Sequence, residues 1–153
     1  MNIGCMRIGG TSVSAVALLV IAVLSASGCG PKLPDRGQVF GRVTHDGRPV
    51  ASDPENYVEC EIRFWPLEGR RPALGQLDAD GNYRLSSFGQ NDGAIPGKYI
   101  VTIKAVKVHL PVGGNDGWLE WIVPEKYENQ ETSGLTATVE PGENEINFDL
   151  PKE

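Results

Sequence analysis

Three observations predict an all-β fold, an antiparallel sandwich of seven short strands. Apolar and polar residues alternate with period two in several short stretches, the mark of strands that are wet on one face only. Turn dipeptides, Asp46-Gly47 and Asp80-Gly81 among them, separate these stretches and accept the positive backbone angles of tight turns. No long stretch of the domain carries the period of a helix, so no helix is needed for the core.

Residues 38–44 make a first strand, ended by Asp46-Gly47. The stretch "YVECEIRFW" (57–65) puts Val58, Cys60, Ile62 and Phe64 on a core face and Glu59, Glu61 and Arg63 on a wet one. Residues 73–78 and 82–87 are shorter strands around Asp80-Gly81. The longest strand is "KYIVTIKAVKV" (98–108), with Tyr99, Val101, Ile103 and Ala105 facing inward and Thr102 and Lys104 outward. "LTATV" (135–139) and "EINFDL" (145–150) alternate again, pointing Leu135, Ala137, Val139, Ile146, Phe148 and Leu150 one way. The intervening Pro141-Gly142-Glu143-Asn144 reads as the turn of a hairpin. The connection 110–134 is longer than compact domains carry without a reason.

Ahead of this domain, "VSAVALLVIAVL" (13–24) is too short to span a bilayer, which takes about 20 residues. Arg7 precedes it and no acidic residue occurs before Asp35, the charge pattern of a secretory signal. Ser25-Ala26-Ser27-Gly28-Cys29 resembles the lipobox of bacterial lipoproteins, with Ala26 where the commonest form has Leu. The resemblance implies cleavage after Gly28, a diacylglyceryl group on the Cys29 sulfur and acylation of its new amino group. The chain then divides into a signal peptide (1–28), a lipidated Pro- and Gly-rich tether (29–36) and a sandwich domain (37–153). Each buried methylene contributes about 0.8 kcal/mol, so two or three acyl chains would hold the protein on a membrane. Gly30 stands where an Asp would resemble an inner-membrane retention signal, which favours an outer-membrane address, with the domain in the periplasm or at the cell surface.

The sequence holds 14 basic and 20 acidic residues. Removing 1–28 takes away Arg7 and no acid, leaving 13 − 20 = −7. That balance disfavours nucleic acid and anionic headgroups as electrostatic partners, since both need clustered Lys and Arg. Of three cysteines, Cys5 leaves with the signal and Cys29 carries lipid, so Cys60 is expected as a free thiol in the core.

"GRVTHDGRPV" (41–50), "DADGNYRL" (78–85) and "PGKYIVTI" (96–103) resemble, in order and spacing, the signature stretches of the carboxypeptidase regulatory-like, or transthyretin-like, domain. "VPEKYENQETSGLTATVEPGENEINFDL" (123–150) is similar to the end of small bacterial lipoproteins built on that domain. The resemblance implies a prealbumin-like (Ig-like) seven-stranded sandwich and says little about activity, because folds of this kind serve as spacers, adhesive modules or binding domains.

Chemistry is sparse. The two histidines, His45 beside the Asp46-Gly47 turn and His109 at the end of the long strand, read as solvated strand-end residues and not as a catalytic pair, so no catalytic residue is expected. Cys60 has no Cys or His at zinc-ligand spacing, and no cofactor is expected. Asp78, Asp80 and Asn82 place oxygens at alternate positions as in a calcium loop, but Gly89 stands where the closing carboxylate belongs, so a hairpin turn is the simpler reading. Trp118 and Trp121, with Trp65 and Tyr127 as neighbours, form a platform for stacking sugar rings, or else Trp118, Leu119 and Ile122 anchor the long connection against the sandwich. The expectation is a non-enzymatic, lipid-anchored envelope protein serving protein interaction or spacing. The alternative is a carbohydrate-binding module, so the partner is an unidentified envelope protein or a glycan.

Overall fold

The computed structural model describes residues 35–69, 71–113 and 116–152; the expected signal peptide, the cleavage site at Gly28 and the lipidated Cys29 lie outside the described residues. Within them the chain runs β1 (Gly37–His45), β2 (Arg48–Pro49), a 3-10 turn (Pro54–Asn56), β3 (Val58–Pro66), β4 (Ala73–Gln76), β5 (Asn82–Arg84), β6 (Gly97–His109), β7 (Trp118–Trp121), a 3-10 turn (Glu125–Glu128), β8 (Leu135–Val139), β9 (Gly142–Glu145) and β10 (Phe148–Leu150). Among the described residues no helix is long and apolar enough to cross a membrane.

Two sheets face one another. In the larger, β4, β3 and β6 are antiparallel neighbours, and β6 is long enough to take two partners on its far edge. Its first residues pair with β8, Gly97 opposite Val139, and its last with β7, His109 opposite Trp118. In the other sheet β1 is central, flanked by β2 and β5 on antiparallel registers and by β9 and β10 on parallel ones. The first turn follows its dipeptide: Asp46 and Gly47 both take positive φ, 51° and 71°, and close a two-residue loop between His45 and Arg48.

The core is where alternation placed it. Cys60, Ile62 and Phe64 from β3 and Tyr99, Val101, Ile103 and Ala105 from β6 are buried against Val39, Val43, Tyr83, Phe148 and Leu150 of the other sheet. Phe64 joins the sheets, its ring 6.2 Å from Tyr83 and 6.1 Å from Phe148, the separation of offset and edge contacts between aromatic rings. The hydroxyl of Tyr83 donates to the Ile146 carbonyl at 2.7 Å, tying β5 across β1 to the bend between β9 and β10. At that bend the backbone of Gly41 lies so close to the Ile146 carbonyl that a Cβ there would collide with it.

Three expectations need correction. Among the described residues there are ten strands, not seven: β2, β7 and β9 are additional short pairings beside the seven stretches that alternate. The sandwich is not wholly antiparallel, because β9 and β10 run parallel to β1. Finally, 135–139 and 145–150 are not a hairpin; β8 pairs with β6 while β9 and β10 cross to the opposite sheet. The cause is local. Gly142 takes φ 97°, and the Asn144 side chain accepts from Glu140 N and donates to the Glu140 carbonyl, both at 2.8 Å. This clamp turns the chain out of one sheet, and Asn144 Nδ2 also reaches the Gln38 carbonyl of β1 at 3.3 Å.

Candidate functional site

β6 outruns its neighbours. Pairing with β3 stops at Lys107 opposite Val58, so Val108 and His109 are held in the sheet by β7 and by a hydrogen bond from Val108 N to the Tyr57 carbonyl, 2.9 Å. Tyr57 is presented there by the preceding 3-10 turn. Asp53 caps that turn, accepting from Asn56 N and, at 2.7 Å, from Asn56 Nδ2; this side-chain bond holds the Asp53 carboxyl below its ordinary pKa. Tyr57 itself ends the turn with a left-handed backbone, φ 56°.

The result is an exposed apolar end. Tyr57, Leu110, Val112, Trp118 and Leu119 are all exposed, although most large apolar side chains of the domain are buried. Trp118 is 57% exposed, yet it is ordered: its ring stacks on His109 with centroids 3.8 Å apart and planes 2° from parallel. His109 in turn reaches Glu120 Oε2 through Nε2 at 2.8 Å. Exposed apolar side chains gathered at one end of a domain are a common mark of a protein contact, and a Trp whose rotamer is already held loses less entropy on binding.

The four aromatic residues expected to act together are not brought together. Tyr127 is 4% exposed and packs, with Val123, into the main core. It is buried because the connection 110–134 folds back over the edge of β6 and needs an anchor there. Trp121 pairs with Val106 and, three residues from Trp118 on a strand of period two, points to the opposite face. Trp65 lies opposite Ile100, about 20 Å along β6 from Val106, and its Nε1 donates to Thr102 Oγ1 at 2.9 Å. Only Trp118 offers an open ring.

Asp78, Asp80 and Asn82 build a turn. One Asp78 oxygen accepts from Asp80 N and Asn82 N at 2.9 and 2.8 Å, and the other from Asn82 Nδ2. These bonds, the Asn82 amide first, lower the Asp78 pKa. Among the described residues no group of three or more His, Cys, Asp or Glu side chains is placed to hold a metal ion. Asp92, a potential fourth oxygen ligand, is engaged elsewhere, with Arg36 and the amides of Ser87 and Gly89.

Cys60 is buried in the core, and desolvation pushes its thiol up to about 11, which makes it a poor nucleophile. His45 and His109 sit on different sheets, the former against the Leu150 carbonyl at 3.1 Å. A broad cleft of about 840 Å³ covers the outer face of the β1 sheet over Phe40, Arg42, Arg84 and Asn147. Its polar groups largely satisfy one another: Arg42 Nε donates to the Asp80 carbonyl, Thr44 Oγ1 to Asp149, and Asn147 Nδ2 to Glu145. The sequence did not single out Tyr57 or Leu110, and Trp118, Leu119 and Ile122, expected to anchor the connection against the sandwich, are exposed instead, since exposure of an apolar residue on a strand end leaves no trace in the alternation.

Fold and site together define an all-β two-sheet domain with an apolar hairpin end. No family model matches the chain, and no curated protein matches it. Among solved structures it is similar to a DUF3823 family protein from Parabacteroides merdae ATCC 43184, at 14% identity over 76% of this chain and 46% of that one, with a TM-score of 0.37. The chain thus spans less than half the length of that protein.

Proposed function

We propose that the chain is a non-enzymatic, lipid-anchored envelope protein, held on the membrane through Cys29, whose sandwich presents the β6–β7 hairpin to a partner protein. The observation that carries the reading is the position of the apolar end. The described chain comes in at Gly37, which bridges Ala94 just before β6 begins; Trp118 lies beside His109, where β6 ends. β6 has 13 residues, so the two ends are roughly 40 Å apart, and a domain fixed at one would hold the other away from the membrane.

The sandwich is, in the same proposal, of the carboxypeptidase regulatory-like kind. Its three signature stretches fall on the β1 to β2 hairpin, the turn leading into β5 and the start of β6, where turn chemistry of that type belongs. Replacing Cys29 with Ser tests the anchor: the variant is expected in the soluble fraction and unlabelled by fatty acid, and a variant still membrane-bound would contradict it. A second reading, carbohydrate binding, draws on the open face of the Trp118 ring, since flat apolar sugar faces stack on such rings. Intrinsic fluorescence titrated with soluble polysaccharides checks it, with quenching lost in Trp118→Ala expected of a glycan site.

A further inference from the structure

A second exposed apolar surface lies at the other end of the domain, beside the point where the chain comes in. Phe88 is 42% exposed and is met by two guanidinium groups, Arg36 at 4.8 Å and Arg71 at 5.0 Å from its centroid. The loop beneath it is braced: Asp92 pairs with Arg36 and accepts from the amides of Ser87, Phe88 and Gly89. Burial raises the Asp92 pKa, but those three amides and Arg36 together outweigh it and keep the carboxyl low. Arg71 also lines a cavity of about 550 Å³ with Leu67, Ile95 and Lys98. Leu67 is 60% exposed, Ile95 is exposed as well, and Leu67 N donates to the Lys98 carbonyl, which keeps the two segments together.

We propose that this end, through Leu67, Phe88 and Ile95, inserts into the headgroup region of the bilayer that carries the anchor; the inference rests on the lipid-anchor reading. The occupant follows from the chain. Cys29 precedes Arg36 by seven residues, a reach of at most roughly 25 Å, so a bilayer holding Cys29 lies within that distance of the Arg36 and Phe88 pair. The chemistry suits an interface: the apolar tips stand beside Arg71 and Lys98, side chains of the kind whose stems can lie along apolar surface while their heads reach phosphate, and Arg36 stays paired with Asp92. The acidic groups at this end, Asp35, Glu68, Asp92, Glu140 and Glu143, outnumber Arg36, Arg71 and Lys98, so apolar contact and not net charge drives the insertion. Tethering makes a weak contact sufficient, because the anchor sets a high effective concentration of membrane.

The test uses the full lipidated chain in phosphatidylcholine vesicles with an environment-sensitive fluorophore on Leu67→Cys or, at the opposite end, Val112→Cys. Cys60, buried with its thiol pushed up to about 11, stays unlabelled in the folded protein. At position 67 we expect a blue-shifted emission shielded from iodide, equally in low and high salt, and at position 112 the emission of free dye in water. Adding Phe88→Asp should restore most of the iodide quenching at 67 while the protein still floats with the vesicles. A floating protein with 67 as accessible as 112 overturns the insertion alone; a protein that does not float overturns the anchor and the insertion with it.

Discussion

β6 runs unbroken from Gly97 to His109, yet its two halves do opposite things. In the first half Tyr99, Val101, Ile103 and Ala105 are sealed under the second sheet; beyond Lys107, where β3 stops pairing, β6 continues into a hairpin whose Trp118, Leu119 and Leu110 stand in solvent. The difference lies in what covers the strand and in the strand itself, where Lys107 and His109 follow Ala105 in the inward phase. Apolar residues therefore hold the fold in one half and are free to meet a partner in the other, and substitutions should separate the two roles.

The largest effect is expected at the sealed half. Phe64→Ala removes the ring that joins both sheets and should cost about 3–5 kcal/mol, measured by denaturant unfolding. Next is Tyr83→Phe. It leaves the Ile146 carbonyl without its 2.7 Å partner, an expected loss of about 1–3 kcal/mol by the same measurement. A loss as small as that of an exposed substitution would break the claim that this bond ties the β9–β10 bend to the core.

How far the sequence anticipated this contrast depends on the element. Period two located the inward faces of β3 and β6, because a strand buried on one side must alternate whichever strand it pairs with, but it put Thr102 on the wet face, where it is buried with its hydroxyl bonded to Trp65. That indifference to the partner is also why residues 145–150 were misplaced: Ile146, Phe148 and Leu150 suit either sheet, and the crossing is decided by Asn144 and its bonds to Glu140 and Gln38. Aromatic residues were least legible. Tyr127 and Trp118 belong to one long connection of similar composition, and only the fold of that connection sends the first into the core and leaves the second outside.

Smaller effects follow at the turns. The Asp78 carboxyl has a lowered pKa in the fold because it accepts from Asn82 and Asp80, so its contribution is present above the ordinary carboxylate range and disappears as pH falls through the lowered value. Asp78→Asn should therefore be less stable than the parent at neutral pH, and the two melting temperatures should converge as pH drops below 3.8, the ordinary value. A gap that stayed constant with pH would show that charge on Asp78 plays no part.

The smallest effect on stability is expected from Trp118→Ala, within about 1 kcal/mol for an exposed cross-strand pair, and this near-silence makes it the most direct probe of the account. Photocrosslinking in native envelopes from position 112 on the hairpin, with position 84 in the open cleft as comparison, reads the partner contact. The account predicts capture of one protein species from position 112, absent from position 84 and lost in Trp118→Ala although that variant melts like the parent. Capture from position 84 instead, or capture from 112 that survives Trp118→Ala, would contradict it.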